Sequence, residues 1–240
     1  MADTSTIIKW DAAGAHWYKT GVDKVALYVW DSTHNKYGPP IAWNGVTAIT
    51  ESPSGAESNK QYADNIEYLN LLSREEFGMT LEAYQSPEAF DECDGEKGVT
   101  STATGLTTVK IKVHGMPRKK FALAYRTLKG NDSDAADTAI ASGATNKFTY
   151  HIVYGCLAAP SSVDNNTVND SPEAATLSWE ITTTPITDAE KIGTTLTDAG
   201  VTRVAHLEFD AADAETAKKI EELLYTQEQD CPWPSTLLGA

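Results

Sequence analysis

The run Ile41-Ala-Trp-Asn-Gly-Val-Thr-Ala-Ile-Thr-Glu-Ser-Pro-Ser-Gly-Ala-Glu57 leads on through Tyr62-Ala-Asp-Asn-Ile-Glu-Tyr-Leu-Asn70 and Phe77-Gly-Met-Thr-Leu-Glu-Ala-Tyr84 to Pro87-Glu-Ala-Phe-Asp-Glu-Cys-Asp-Gly95. It reads as three strands and a short helix. Val46, Ala48 and Thr50 alternate with Thr47, Ile49 and Glu51 as far as Ser52-Pro-Ser-Gly55, where proline fixes φ and glycine admits the positive φ of a turn. A second strand returns through Tyr62, Ile66 and Tyr68. The third puts Phe77, Met79, Leu81 and Ala83 on one face and Thr80, Glu82 and Tyr84 on the other, the period of two expected of a half-buried sheet. Ser86 is then the expected N-cap, with Pro87 in the first helical position.

Upstream, Val25-Ala-Leu-Tyr-Val-Trp30 is apolar on both faces, which fits a strand covered on both sides or one whose outer face meets another chain. Residues Met1 to Thr20, with Trp10, Trp17 and Tyr18 among small and polar residues, read as an arm, and Asp31 to Pro40 as a loop. Downstream, Asp94 to Gly105 is small and polar enough for a mobile loop. Thr108 to His114 alternates, with Val109, Ile111 and Val113 inward. The turn Gly115-Met-Pro117 joins it to Lys119–Lys129, where Phe121, Leu123 and Tyr125 share a face, so the two runs predict a hairpin.

Gly130 to Asn146 is a second polar loop. Phe148, Tyr150, Ile152 and Tyr154 alternate along a strand ending at Gly155 and Pro160, and Ser161 to Pro172 is turn-forming. Leu177, Trp179 and Ile181 mark a strand closed by Pro185. Val201 to Phe209 makes the last strand. Ala211 to Gln227 reads as the one long helix: Asp213 and Glu215 suit its N-terminal end, and Ala217, Ile220, Leu223 and Leu224 form an apolar stripe. Lys218, Lys219, Glu221 and Glu222 are expected to face water. The end Cys231-Pro-Trp-Pro-Ser235 cannot continue a helix.

This pattern, with no βαβ alternation, predicts a mainly β chain: a β-sandwich or barrel-like domain with a flanking helix and long loops. The expected organisation is an arm over 1–20, the β domain over 21–227 with its helix at 211–227, and a tail over 228–240. A chain of 240 residues needs no staples to fold.

Hydrophobic residues make up 41% and charged residues 22%, as in a soluble globular protein, which argues against a wholly disordered chain. Cys93, Cys156 and Cys231 are odd in number and widely spaced, which predicts free thiols in a reducing compartment. No charged segment followed by an apolar one opens the chain, and no apolar run approaches the roughly 20 residues of a membrane helix. The expectation is a protein that stays in the cytoplasm that makes it, without a membrane partner. With 19 basic against 34 acidic residues, the formal charge of −15 argues against stable nucleic-acid binding, which needs clustered Lys and Arg.

Catalytic motifs are missing one after another: no Gly-x-Ser-x-Gly elbow, no phosphate loop ending in Gly-Lys-Ser/Thr, no His-Glu-x-x-His. Asp91-Glu-Cys-Asp94 and Asn131-Asp-Ser-Asp134 hold oxygen ligands without the spacing of a calcium loop. His151 has no Ser, Cys or carboxylate placed by sequence to work with it, and reads as a satisfied sheet histidine. Cys156 has nothing basic nearby to lower its pKa, and reads as core. Met116-Pro-Arg-Lys-Lys120, the one basic run, lacks interleaved aromatics and reads as a solvated turn or a surface for an acidic partner. No catalytic, cofactor-binding or metal-binding residue is predicted, and no cofactor.

Several phrases resemble the major tail protein of phages with long, non-contractile tails: Trp43 to Glu57, Tyr62-Ala-Asp-Asn65, Pro87 to Gly95, Phe121-Ala-Leu-Ala-Tyr-Arg-Thr127, His151-Ile-Val-Tyr-Gly-Cys-Leu-Ala158, Asn169-Asp-Ser-Pro-Glu-Ala174 and Ser178-Trp-Glu-Ile-Thr-Thr-Thr-Pro185. The similarity runs in order from about Gly21 to Tyr225 and does not clearly include the first 20 residues or the Cys231 end. The resemblance implies a structural virion protein, a β-sandwich with a flanking helix that assembles into rings of six. The rings stack into the tube through which the genome leaves. Its implied partners are copies of itself, the tape measure protein, and the tail terminator and distal tail proteins, with double-stranded DNA passing through unbound. Its place would be the virion tail, after assembly in the host cytoplasm. Acidic residues facing the lumen would repel phosphate, whereas a basic wall would hold DNA. The rival expectation from another class is a carbohydrate-binding β-sandwich, which would need exposed coplanar rings.

Overall fold

β1 (Trp17–Asp31) carries the apolar run Val25–Trp30, and its burial shows how the chain is layered. Val25 and Leu27 enter one core, Ala26 and Tyr28 another, and all four are buried. Of the two readings of that doubly apolar run, the first holds: the chain's own segments cover both faces. A computed structural model describes residues 16–55, 57–103, 109–131, 148–159, 163, 167, 174–211 and 214–238.

The other strands are β2 (Lys36–Tyr37), β3 (Ile41–Ala42), β4 (Val46–Glu51), β5 (Ser58–Ala63), β6 (Ile66–Leu72), β7 (Gly78–Ala83), β8 (Glu96–Thr100), β9 (Lys110–His114), β10 (Phe121–Asn131), β11 (Phe148–Ala158), β12 (Leu177–Thr183) and β13 (His206–Asp210). Helices are α1 (Asp91–Asp94), α2 (Ala189–Ile192), α3 (Thr194–Asp198), α4 (Ala214–Tyr225) and α5 (Pro234–Leu238). The chain is mainly β and sandwich-like, as its alternation predicts. An antiparallel nine-stranded sheet runs β2-β1-β10-β11-β12-β7-β4, with β3 also on β1 and β13 also on β11. β5–β6 and β8–β9 form separate two-stranded ribbons.

The first core joins Leu27, Phe121, Leu123 and Val153 of the central strands to Met79, Leu81 and Ala83 of β7 and Trp179 and Ile181 of β12. The face predicted for Phe77–Ala83 is therefore the buried one. Trp43, Phe90 and Trp179 pack ring against ring at 4.5–5.5 Å between centroids. Each fully buried large apolar side chain here contributes roughly 1.5–3 kcal/mol by leaving water. In the second core Ala26, Ala122 and Ala124 are small enough to admit the helical layer, which adds Ile192 and Leu224 beside Tyr28, Tyr150, Ile152 and Tyr154. Tyr28 donates its hydroxyl to the Leu224 carbonyl, one of the acceptors a helix leaves open at its C-terminal end. Tyr154 Oη donates to the Pro232 carbonyl at 2.8 Å.

Several expectations are corrected. The predicted second strand is a hairpin, β5–β6, because Asp64 (φ 52°) and Asn65 (φ 62°) make a two-residue turn with both residues at positive φ, the type I′ signature. Thr108–His114 does not pair with Phe121–Lys129. β9 pairs instead with β8, inside the stretch expected to be a mobile loop, and Val109, Ile111 and Val113 are exposed rather than inward. Alternation alone cannot choose a partner strand. The short helix after Ser86 begins one residue late: Pro87 itself stands at the N-cap of a 3-10 turn, Glu88–Phe90, with no side-chain cap.

β1 begins at Trp17, within the expected arm, and pairs there with the end of β10. β11 does not end at Gly155 but passes through it to Ala158. The last strand is shorter than expected, and two unpredicted helical turns, α2 and α3, precede it. Asp188 caps the first by accepting from the Glu190 N–H. α4 lies within the predicted helix, with Leu224 buried and Ala217 and Ile220 packed on the second core, but Glu221 turns inward. The predicted tail packs on the body through Cys231 and Trp233, whose ring meets Tyr37 at 5.4 Å. Residues 1–15, most of the 130–146 loop, most of 161–172 and Asp213 lie outside the described residues.

Candidate functional site

Two features of the surface and one of the interior carry chemistry that the cores do not use. The first is the β5–β6 hairpin. All six residues of β5 and all seven of β6 are exposed, although Tyr62, Ile66, Tyr68, Leu69, Leu71 and Leu72 are apolar. Tyr68 and Leu72 are 73% and 70% exposed. The hairpin joins the body at its base, where Ser54 and Glu76 exchange backbone hydrogen bonds of 2.8 and 2.7 Å. Among the described residues no further strand pairs with either of its edges. A lone two-stranded ribbon is marginally stable in water, and this one presents apolar side chains to solvent from both faces.

The second feature is the β8–β9 ribbon, which leans on α1 through charge. Lys112 Nζ reaches Asp91 at 2.7 Å and Glu96 at 3.0 Å, and Lys110 reaches Glu88 at 2.9 Å. The acidic run Asp91–Asp94 is thereby occupied within the chain. Asp91 takes Lys112, Glu92 takes Lys119 at 2.5 Å, and Asp94 Oδ2 accepts from Trp179 Nε1 at 3.0 Å. Lys119 of the predicted basic turn is half exposed in its pair with Glu92. Residues 132–134 of the other acidic run lie outside the described residues.

The interior feature gathers His151. Its imidazole stacks on Tyr125 with planes 4° apart, and its Nε2 lies 3.0 Å from Thr127 Oγ1. A satisfied sheet histidine was expected; the company it keeps was not. Nδ1 stands 3.1 Å from Nε2 of His206 on β13 and 3.7 Å from Oε1 of Glu51 on β4. Tyr125 donates to that same Glu51 oxygen at 2.8 Å, and Phe77 covers the His206 ring at 4.5 Å. Glu208 and Lys19 form an ion pair beside the site. Burial, with His206 close by, pushes the His151 pKa down to about 4, and burial lowers His206 as well, so both rings are neutral near pH 7.

No local signal in the sequence links these residues. Glu51 and His206 occupy alternating positions on separate strands, and only the pairing of β11 with β13 and the approach of β4 bring them together. Cys156 is core, as expected: burial raises its thiol pKa far above the ordinary value. All three cysteines are free and buried. Comparison of the sequence with protein-family models and with curated proteins returned no match.

Proposed function

We propose that this chain is a structural virion subunit that assembles with copies of itself into stacked rings, the tube of a long, non-contractile phage tail. The observation that supports this most is the β5–β6 hairpin, whose thirteen strand residues are all exposed while six of them are large and apolar. Such a ribbon gains stability when a neighbouring copy covers its faces or pairs with its edges, and ring closure removes the hazard of a free edge. The charge of −15 is consistent with a conduit that lets DNA pass without holding it. Tape measure, terminator and distal tail proteins are the partners this role requires.

The rival reading, a carbohydrate-binding module, draws no support from four of the tryptophans, although Trp17, Tyr18, Tyr62, Tyr68 and Tyr84 are exposed. Trp43 and Trp179 are buried, and Trp30 and Trp233 pack against Tyr37. Electron microscopy of the purified protein over a range of concentration and salt tests the proposal. Rings or stacked rings are expected; separate small particles under every condition would refute it.

A further inference from the structure

The cluster at the forked end of the sheet is more than a hydrogen-bonded pair of histidines. Three donor groups from three strands converge there, those of His151, His206 and Glu51, each offering one ligand atom within 4.8 Å of the other two. In a tetrahedral zinc site with bonds of about 2.0–2.2 Å, donors stand about 3.3–3.6 Å apart. The separations of 3.1 and 3.7 Å from His151 Nδ1 bracket that range, and Glu51 and His206 lie within 4.8 Å of each other. We propose that Glu51, His151 and His206 bind a divalent transition-metal ion, zinc in the first instance, which ties β4 to β11 and β13.

The surroundings are those of a ligand set rather than of chance neighbours. With Nδ1 on the metal, His151 carries its proton on Nε2, where Thr127 Oγ1 stands at 3.0 Å to accept it. Such a partner on the far nitrogen fixes the tautomer and the ring orientation of a metal-bound histidine. Tyr125 orients the carboxylate in the same way, through its hydrogen bond to Glu51 Oε1. Tyr125 stacks on the His151 ring, and Phe77 packs against the His206 ring at a tilt of 33°, which holds the two imidazoles in place. Glu51 is exposed and His206 half-buried, so an ion can enter from solvent and a water can complete the coordination. Two imidazoles and one carboxylate with a fourth position open are a common zinc donor set, and nickel and copper suit the same nitrogens. The proposal is independent of the tail-tube reading.

Full-length protein stripped with a chelator provides the test, with zinc titrated against a chromophoric competitor and cobalt used as a spectroscopic probe. The wild type is expected to bind one zinc per chain, to melt at a higher temperature with zinc, and to give the visible bands of four- or five-coordinate cobalt. Glu51→Gln and His206→Gln are expected to weaken zinc binding by about tenfold or more and to abolish the shift in melting, while keeping the wild-type circular dichroism. His34→Gln and His114→Gln, at surface ion pairs elsewhere, should bind zinc like the wild type. The site is refuted if the stripped wild type takes up no zinc at micromolar concentration. Equal zinc affinity in the wild type and in both Glu51→Gln and His206→Gln refutes it too, leaving a bridging proton between the histidines.

Discussion

Gly155 and Thr184 meet where the large sheet forks: a Cβ built on Gly155 would lie 1.9 Å from the Thr184 carbonyl oxygen. Gly155 holds φ at +66°, its carbonyl accepts from the Thr184 N–H at 2.9 Å, and its own N–H donates to Tyr37 Oη at 2.9 Å. Below this point β11 pairs with β13, and beyond it with β12. One residue therefore lets a single strand serve both branches. Gly155→Ala meets a backbone clash and an unfavourable φ together, and is expected to cost about 3 kcal/mol or more. Urea denaturation, or loss of soluble protein on expression, checks this.

Arg126, with Lys24, Tyr28 and Tyr150, is one of the polar links between the central sheet and α4. It grips both oxygens of Asp23, at 2.8 and 2.6 Å, and reaches Glu221 at 2.9 Å. Arg126→Met should cost about 2 kcal/mol at pH 7, below the 3–5 kcal/mol of a fully buried pair because both carboxylates are partly exposed. Burial works against the charge of Glu221, but Lys24, Tyr150 and Arg126 together hold its pKa below the ordinary value. A depressed carboxylate stabilises the fold above its unfolded pKa of about 4.3, and that stability is lost as pH falls through the folded value. The gap between wild type and variant should therefore narrow in acid. Urea midpoints compared at neutral pH and below pH of about 4 measure it.

The three thiols should be silent in the native protein. Burial raises the pKa of Cys93 to about 12 and pushes those of Cys156 and Cys231 well above the ordinary thiol value. A thiol reagent should titrate three groups in denaturant and almost none without it, with native labelling limited by the rate of opening. Fast stoichiometric labelling of any one thiol in the folded state would contradict this.

Legibility in the sequence followed whether a residue's role was local. The face of β7, the two-sided burial of Val25–Tyr28 and the α4 stripe were readable because each depends on its own periodicity. The partner of β9 was not: Lys110–His114 alternates equally well beside β8 or β10, and the ion pairs of Lys112 with Asp91 and Glu96 accompany the former. The β5–β6 turn carries its hairpin signal in Asp64-Asn65, between two runs that alternate like one continuous strand. Nothing local announced the Glu51–His151–His206 cluster. Its members lie on three strands, and only the fork at Gly155 sets His206 beside His151.

The exposed hairpin gives the most direct test of self-assembly. Ile66, Tyr68 and Leu72 share one face of β6, and all are solvent-exposed, so replacing them together by serine should leave circular dichroism nearly unchanged and lower the melting temperature only by the stability that assembly adds. Sedimentation velocity of the wild type and this triple variant, at matched concentration, then separates folding from assembly. The wild type should sediment as rings or larger stacks and the variant as single chains. Identical sedimentation of the two, whether both single or both assembled, would contradict the account.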